Sequence, residues 1–219
     1  MTTSGASDRE FNILEIVEEA YERTGSELRT GYQLKTAIRS LDLLMVEWAN
    51  RGYNLWTIQE TSTVTADGDD DYNLSDDIID VITVNITVDD FDYPLTRMST
   101  NEYTKTPNLT TESRPTSFWV KRTVIPVLYL YPTPDQVYTL KYWSLRRIYD
   151  AGAGTNTMDV PFRFLPAMIA GLSHKLAAKS TERMELVPML EAEYEKQFQL
   201  ATEEDRERSS LYIRVRRRG

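Results

Sequence analysis

Cysteine is absent from this chain of 219 residues, so it can build neither a disulfide framework nor a thiolate metal site. Histidine occurs once, at His174, and a lone imidazole cannot make a histidine-based metal cluster. Glycine is scarce, with nine in all, and no phosphate-binding loop, dinucleotide fingerprint or Gly-x-Ser-x-Gly nucleophile elbow occurs. No run approaches the ~18 apolar residues of a membrane-spanning helix. The opening residues, MTTSGASDRE, lack the apolar segment of a secretion signal. Without such a signal the triplets at Asn73, Asn85 and Asn108 mean little as glycosylation sites. These absences predict a reducing cytoplasm, no membrane association and no cofactor.

What is present is charge, unevenly spread. The formal net charge is −9. Residues 53 to 105 hold twelve acidic groups against Arg97 and Lys105 alone, a net of −10. From Arg206 onward there are six arginines against Glu207, a net of +5. An acidic middle repels phosphate at short range and argues against nucleic-acid gripping there.

The clearest pattern is LKTAIRSLDLLMVEWANRGYNLW, residues 34 to 56. Leu34, Ile38, Leu41, Met45 and Trp48 recur at helical spacing, with Arg39, Asp42 and Glu47 on the remaining surface. Thr30 or Gly31 starts this helix and Gly52 is a left-handed stop. Tyr53, Leu55 and Trp56 then open an extended run, so Leu41, Met45, Trp48 and Trp56 are expected at a buried junction. A preceding helix is expected from about Asp8 to Gly25, with Phe11, Leu14, Val17 and Tyr21 inward.

Residues 53 to about 150 read as about six strands, including Ile78 to Val88 and Val137 to Ile148, with a short helix at 99 to 106. The segment from Ala151 to Thr157 reads as flexible. Two more helices follow: one lined by Leu165, Met168 or Ile169, Leu172 and Leu176, the other opened by Pro188 and lined by Leu190, Tyr194, Phe198 and Ala201. The expected class is α+β: a discontinuous four-helix bundle (1–52 and 156–208), an inserted small antiparallel β domain, sandwich or barrel-like (53–155), and an extended C-terminal arm (209–219).

Chemistry has few footholds. His174 lies off the apolar stripe of its helix, facing solvent or another subunit. Asp67, Asp69 and Asp71 begin like a calcium loop, but Tyr72 stands where glycine is needed and Ile78 where the bidentate glutamate belongs. Pairs such as Asp76/Asp77 or Glu203/Glu204 could serve a glycosidase, yet such pairs are common on acidic surfaces. No catalytic and no metal residue is therefore assigned.

The segment Leu41 to Trp56, the stretch from Glu204 to Ser210 and the helices–β–helices order together resemble head-to-tail adaptors of short-tailed bacteriophages, also called tail tube A or head completion proteins. The resemblance implies a non-enzymatic virion protein of the phage neck or tail, assembled in the host bacterial cytoplasm. It implies a ring, a dodecamer, beneath the portal protein, extending the DNA channel, touching passing double-stranded DNA transiently and attaching the tail nozzle protein. A portal-docking arm is then expected at Leu211, Tyr212, Ile213, Arg214, Val215, Arg216, Arg217 and Arg218, whose apolar/basic alternation suits an extended docking strand. DNA contact is the runner-up for that tail. Other readings of the whole chain are a peptidoglycan-cleaving virion hydrolase and an unrelated oligomeric scaffold.

Overall fold

A computed structural model describes residues 11–52 and 55–205. They fall into two compact units, residues 11–52 with 149–205, and residues 55–148. Among the described residues the class is α+β, with five helices and two small sheets.

The first unit is helical. α1 (Ile13–Arg23) starts at a capping box in which Asn12 and Glu15 bond each other's backbone N–H. The expected start at Asp8 lies outside the described residues. Ile13, Ile16, Val17, Ala20 and Tyr21 form the buried face, while Phe11 is exposed and Leu14 half-buried. α2 (Gly31–Arg51) has a second capping box, Thr30 with Gln33, and stops at Gly52, whose φ of +78° is the left-handed conformation expected of it. Ala37, Ser40, Leu41, Leu44, Met45 and Trp48 are buried.

The segment after the β unit is not a loose linker. Ile13 N–H donates to the Asn156 carbonyl, Leu14 N–H to that of Gly154, and Ala151 N–H to Asp42. Ala151 is fully buried. These bonds tether the segment to α1 and α2, a long-range pairing that its Gly/Ala/Thr composition does not announce. α4 (Leu165–Ala177) packs on α1, α2 and α5 and is buried on most of its surface, as a helix apolar nearly all round must be. α5 (Val187–Glu204) carries Pro188 in its first turn and buries Leu190, Tyr194, Phe198 and Ala201.

In the second unit Leu55–Thr57 is a 3₁₀ turn rather than the start of an extended run, and Tyr53 lies outside the described residues. Eight strands form two four-stranded sheets, not six strands and not a closed barrel. One sheet has the order β1 (Ile58–Val64), β8 (Thr139–Arg146), β3 (Ile78–Val88), β4 (Phe91–Pro94). The other runs β2 (Asp71–Asn73), β7 (Val127–Tyr131), β6 (Ser117–Lys121), β5 (Thr96–Arg97). The β domain is not wholly antiparallel, because β5 pairs parallel with β6. The short helix α3 (Thr100–Lys105) supplies the reversal, capped by Ser99. Val81, Val84, Ile86, Leu140 and Tyr142 of one sheet share a core with Phe118, Val120, Leu128 and Leu130 of the other. The β3–β4 hairpin turns through Asp89 and Asp90 at φ of 50° and 64°, the positive values that a two-residue hairpin turn requires.

Candidate interaction surfaces

Helical spacing alone places Glu47 and Arg51 side by side on the last turns of α2, with Trp48 on the buried side. Trp48 Nε1 donates to the Tyr194 hydroxyl at 2.9 Å, and that hydroxyl donates to Glu47 Oε1 at 2.9 Å. Lys175 Nζ meets the other Glu47 oxygen at 2.7 Å. Arg51 grips both Glu195 oxygens, at 2.7 and 3.1 Å, and lies over the rings of Tyr194 and Phe198. Burial pushes the Tyr194 hydroxyl well above the usual tyrosine range, so it stays protonated and can donate. Burial alone would also raise the Glu47 carboxyl. Bonds from Lys175 and Tyr194, with the charges of Lys175 and Arg51, outweigh it and hold Glu47 below the ordinary value. This network ties α2, α4 and α5 together and is structural in character.

In the β unit, strict alternation along β3 from Ile78 would turn Asp80 and Ile82 inward. Register shifts at Ile78/Asp80 and Val81/Thr83 change the count. Val81, Val84 and Ile86 become the buried set, and Ile82 emerges. Asp80 is left at the margin, where Arg97 Nη2 of β5 reaches it at 2.8 Å and Arg122, just past β6, pairs with its other oxygen. Arg97 also donates to the Val81 carbonyl at 3.0 Å. One carboxylate of the first sheet thus holds two arginines of the second, one on the edge strand β5 and one just past its neighbour β6. Around the clamp a cleft of about 380 Å³ is bordered by Ser99, Thr100, Trp119 and Lys121. Trp119 stacks on Tyr103 of α3 at 4.4 Å between centroids and bonds Thr100 through Nε1.

The clamp sets an acid dependence. Burial would raise the Asp80 carboxyl, but the bonds and charges of Arg97 and Arg122 lower it below 3.8. A folded-state value below the unfolded one contributes stability that is fully present above the unfolded value and is lost as pH falls through the folded one. Stability should therefore fall on acidification below about pH 4. Asp80→Asn should lower stability at neutral pH by about 1 to 3 kcal/mol and flatten that slope, as chemical denaturation across pH would show. A slope identical to the parent's would remove Asp80 from this role.

The other acidic groups are spread outward. Asp67, Asp69 and Asp71 are exposed, and burial together with Asp71 and Asp69 pushes the half-buried Asp70 upward. Tyr72, at the position where a calcium loop needs glycine, donates from its hydroxyl to the Asp69 carbonyl and accepts from Ala66 N–H, pinning the loop as a turn. Among the described residues no group of three or more His, Asp or Glu side chains could hold a metal ion. No described helix is long and apolar enough to cross a membrane. His174 is half-buried on α4, while Glu203 and Glu204 are exposed at the end of α5.

Of the residues singled out from sequence, Leu41, Met45 and Trp48 are buried together at 0, 3 and 0% exposure. Trp56 is half-buried in the β unit. The arm residues Leu211, Tyr212, Ile213, Arg214, Val215, Arg216, Arg217 and Arg218 lie outside the described residues. Sequence reasoning missed the Asp80–Arg97–Arg122 clamp, although a carboxylate at an inward position of β3 was a signal that the alternation breaks there.

A family model described as SU10 adaptor protein matches residues 12–218, spanning both units and the basic tail. No curated protein matches the chain.

Proposed function

This chain belongs to the SU10 adaptor protein family, and from that premise we propose that it forms a ring beneath the portal of a phage virion. It is a bacteriophage adaptor, a structural protein of the virion neck that contacts other virion proteins. Membership points to a structural rather than a hydrolytic role. In the proposed reading the ring is a dodecamer, extends the DNA channel and offers its far face to the tail nozzle. Residues 1–52 and 156–208 act as one four-helix bundle, 53–155 as the inserted β domain, and 209–219 as the arm that docks on the portal. Assembly would follow in the cytoplasm of the host bacterium.

The observation that carries this reading is the family match over residues 12–218, which takes in the tail with its apolar/basic alternation. The acidic residues of 53–105 suit a conduit, since a negative wall lets DNA pass without sticking. In the arm, Leu211, Tyr212 and Ile213 supply apolar contact, and Arg214, Arg216, Arg217 and Arg218 pair with carboxylates.

The test is co-sedimentation with portal rings at two salt concentrations. A chain ending at residue 208 should lose attachment while keeping its circular dichroism. Changing the four arginines to Ala should weaken attachment and reduce its salt sensitivity. Full-strength attachment without the arm would overturn portal docking and favour DNA contact by these residues.

A further inference from the structure

We propose that copies of this chain join through their β units, the β3–β4 hairpin tip of one copy entering the cleft beside Trp119 on the next. The inference rests on the ring reading above and specifies a contact that closes the ring.

The β unit is polarised along β3. At the end where β3 begins and β8 finishes, Arg97 and the segments 121–126 and 146–148 bring five cationic side chains against Asp76, Asp77 and Asp80. At the other end, where β3 turns into β4, the segments 65–70, 89–90, 107–116 and 132–137 hold seven carboxylates against Arg114. Nine strand residues, from Asp80 to Asp89, set the two ends about 25 to 30 Å apart. The acidic excess of this unit is thus gathered at one end.

The hairpin tip at the anionic end joins charge to an aromatic ring. Asp89 and Asp90 occupy its two central positions, and their carboxylates make no ion pair among the described residues. Phe91 beside them is 68% exposed. Arg114, the one cation at this end, lies over the Tyr93 ring at 4.7 Å.

The cleft at the cationic end has the converse chemistry. Trp119 forms one wall, fixed by its stacking on Tyr103 and its bond to Thr100. Lys121 makes no ion pair among the described residues. Arg122 gives one donor to Asp80, and a guanidinium has five, so it can meet a second carboxylate. Glu102, the carboxylate of α3, is turned to its own cap, accepting the Ser99 N–H at 2.7 Å. Val124 and Ile125, in the turn after β6, are 84 and 51% exposed and carry the apolar surface beyond the cleft.

Seated in this cleft, Phe91 meets Trp119, while Asp89 and Asp90 meet Lys121 and Arg122. Two anionic ends brought together would set carboxylates against carboxylates, and two cationic ends would repel in the same way. Charge therefore favours the pairing of unlike ends. Each copy offers one tip and one cleft, so the contact is heterologous and propagates around a ring instead of stopping at a dimer.

The turn itself supplies the test. Asp89 and Asp90 both have positive φ, a turn for which Asn-Gly is a preferred pair. Asp89→Asn with Asp90→Gly therefore keeps the hairpin while removing both carboxylates. In the full chain, alone and on portal rings, these changes should raise the concentration needed for ring formation by about tenfold without lowering thermal stability. Sedimentation and electron microscopy measure the first, circular dichroism the second. Lys121→Glu should weaken assembly to a similar degree. Combined with the two hairpin changes it should weaken assembly no further, because the partners are then already lost. Ring formation by the hairpin variant at the parent's concentration would overturn this contact and leave the ring reading intact. Additive losses in the combined variant would also overturn it, since tip and cleft would then meet different partners. A Lys121→Glu chain that assembles normally but no longer retains duplex DNA would overturn it in favour of phosphate in the cleft. A parent chain that forms no ring, even on portal rings, would overturn both readings.

Discussion

Replacing Trp48 by alanine is expected to lower the stability of the folded chain by about 3 to 5 kcal/mol. The indole is fully buried, with the rings of Phe164 and Phe198 each 5.4 Å away between centroids. Its removal leaves a cavity whose walls are held apart from several directions, since Tyr194 is bonded to Glu47, and Glu47 to Lys175 and Arg51. A site so braced cannot collapse to fill the space, which puts the cost at the upper part of the usual range. The Tyr194 hydroxyl also loses the indole N–H as a donor, though it keeps Glu47 as an acceptor. Urea unfolding followed by circular dichroism measures the effect. A loss below about 1 kcal/mol would mean that the cavity is relieved by rearrangement and that Trp48 does not anchor the helical unit. Trp48→Phe, which restores most of the volume, should recover more than half of the loss.

Gly171→Val in α4 is expected to cost about 3 kcal/mol, at the upper end for overpacking a core. A Cβ built at Gly171 would stand 2.9 Å from Cε2 of Tyr194 and 3.0 Å from each methyl of Leu44. Two effects oppose each other here. Alanine in a helix interior gains about 0.5 to 1 kcal/mol over glycine, and valine somewhat less. Against that, the Tyr194 ring is fixed by its bonds to Trp48 and Glu47 and cannot swing aside without breaking them. For alanine the same Cβ already meets the fixed Tyr194 ring and the Leu44 methyls, which offsets the helix gain, so Gly171→Ala should cost about 1 kcal/mol, well short of the loss for valine. For valine the two added methyls and the stiff χ1 add to that clash, and α4 must move away from α2 or α5. The contrast between the two substitutions is the diagnostic quantity. Equal losses for alanine and valine would mean that backbone freedom, not the close approach of α4 to its neighbours, keeps glycine there.

The limits and faces of several elements were legible in the chain itself. Thr30 with Gln33 opens α2 and Gly52 closes it, because a cap needs only partners within four residues. Pro188 in the first turn of α5 and the spacing Leu190, Tyr194, Phe198, Ala201 act in the same local way. The long strand from Ile78 to Val88 and the helix capped by Ser99 also follow from neighbours in sequence. The family resemblance read from the chain agrees with the family to which it belongs.

The chain alone determined where α2 begins and ends and which residues of α2 and α5 turn inward, since those depend on backbone bonds and periodicities spanning a few residues. Tertiary structure alone decided the rest. The bulges of β3 move Asp80 to the sheet margin, where Arg97 and Arg122 meet it from 17 and 42 residues away. The chain passes from one sheet to the other between β4 and β5, and β5 pairs parallel with β6. The Ala151 to Thr157 segment, flexible by composition, is bonded to α1 and α2. Each of these outcomes depends on groups brought together only when the chain has folded. Their partners are chosen by the need to satisfy buried polar groups and fill space, and no local spacing encodes that choice.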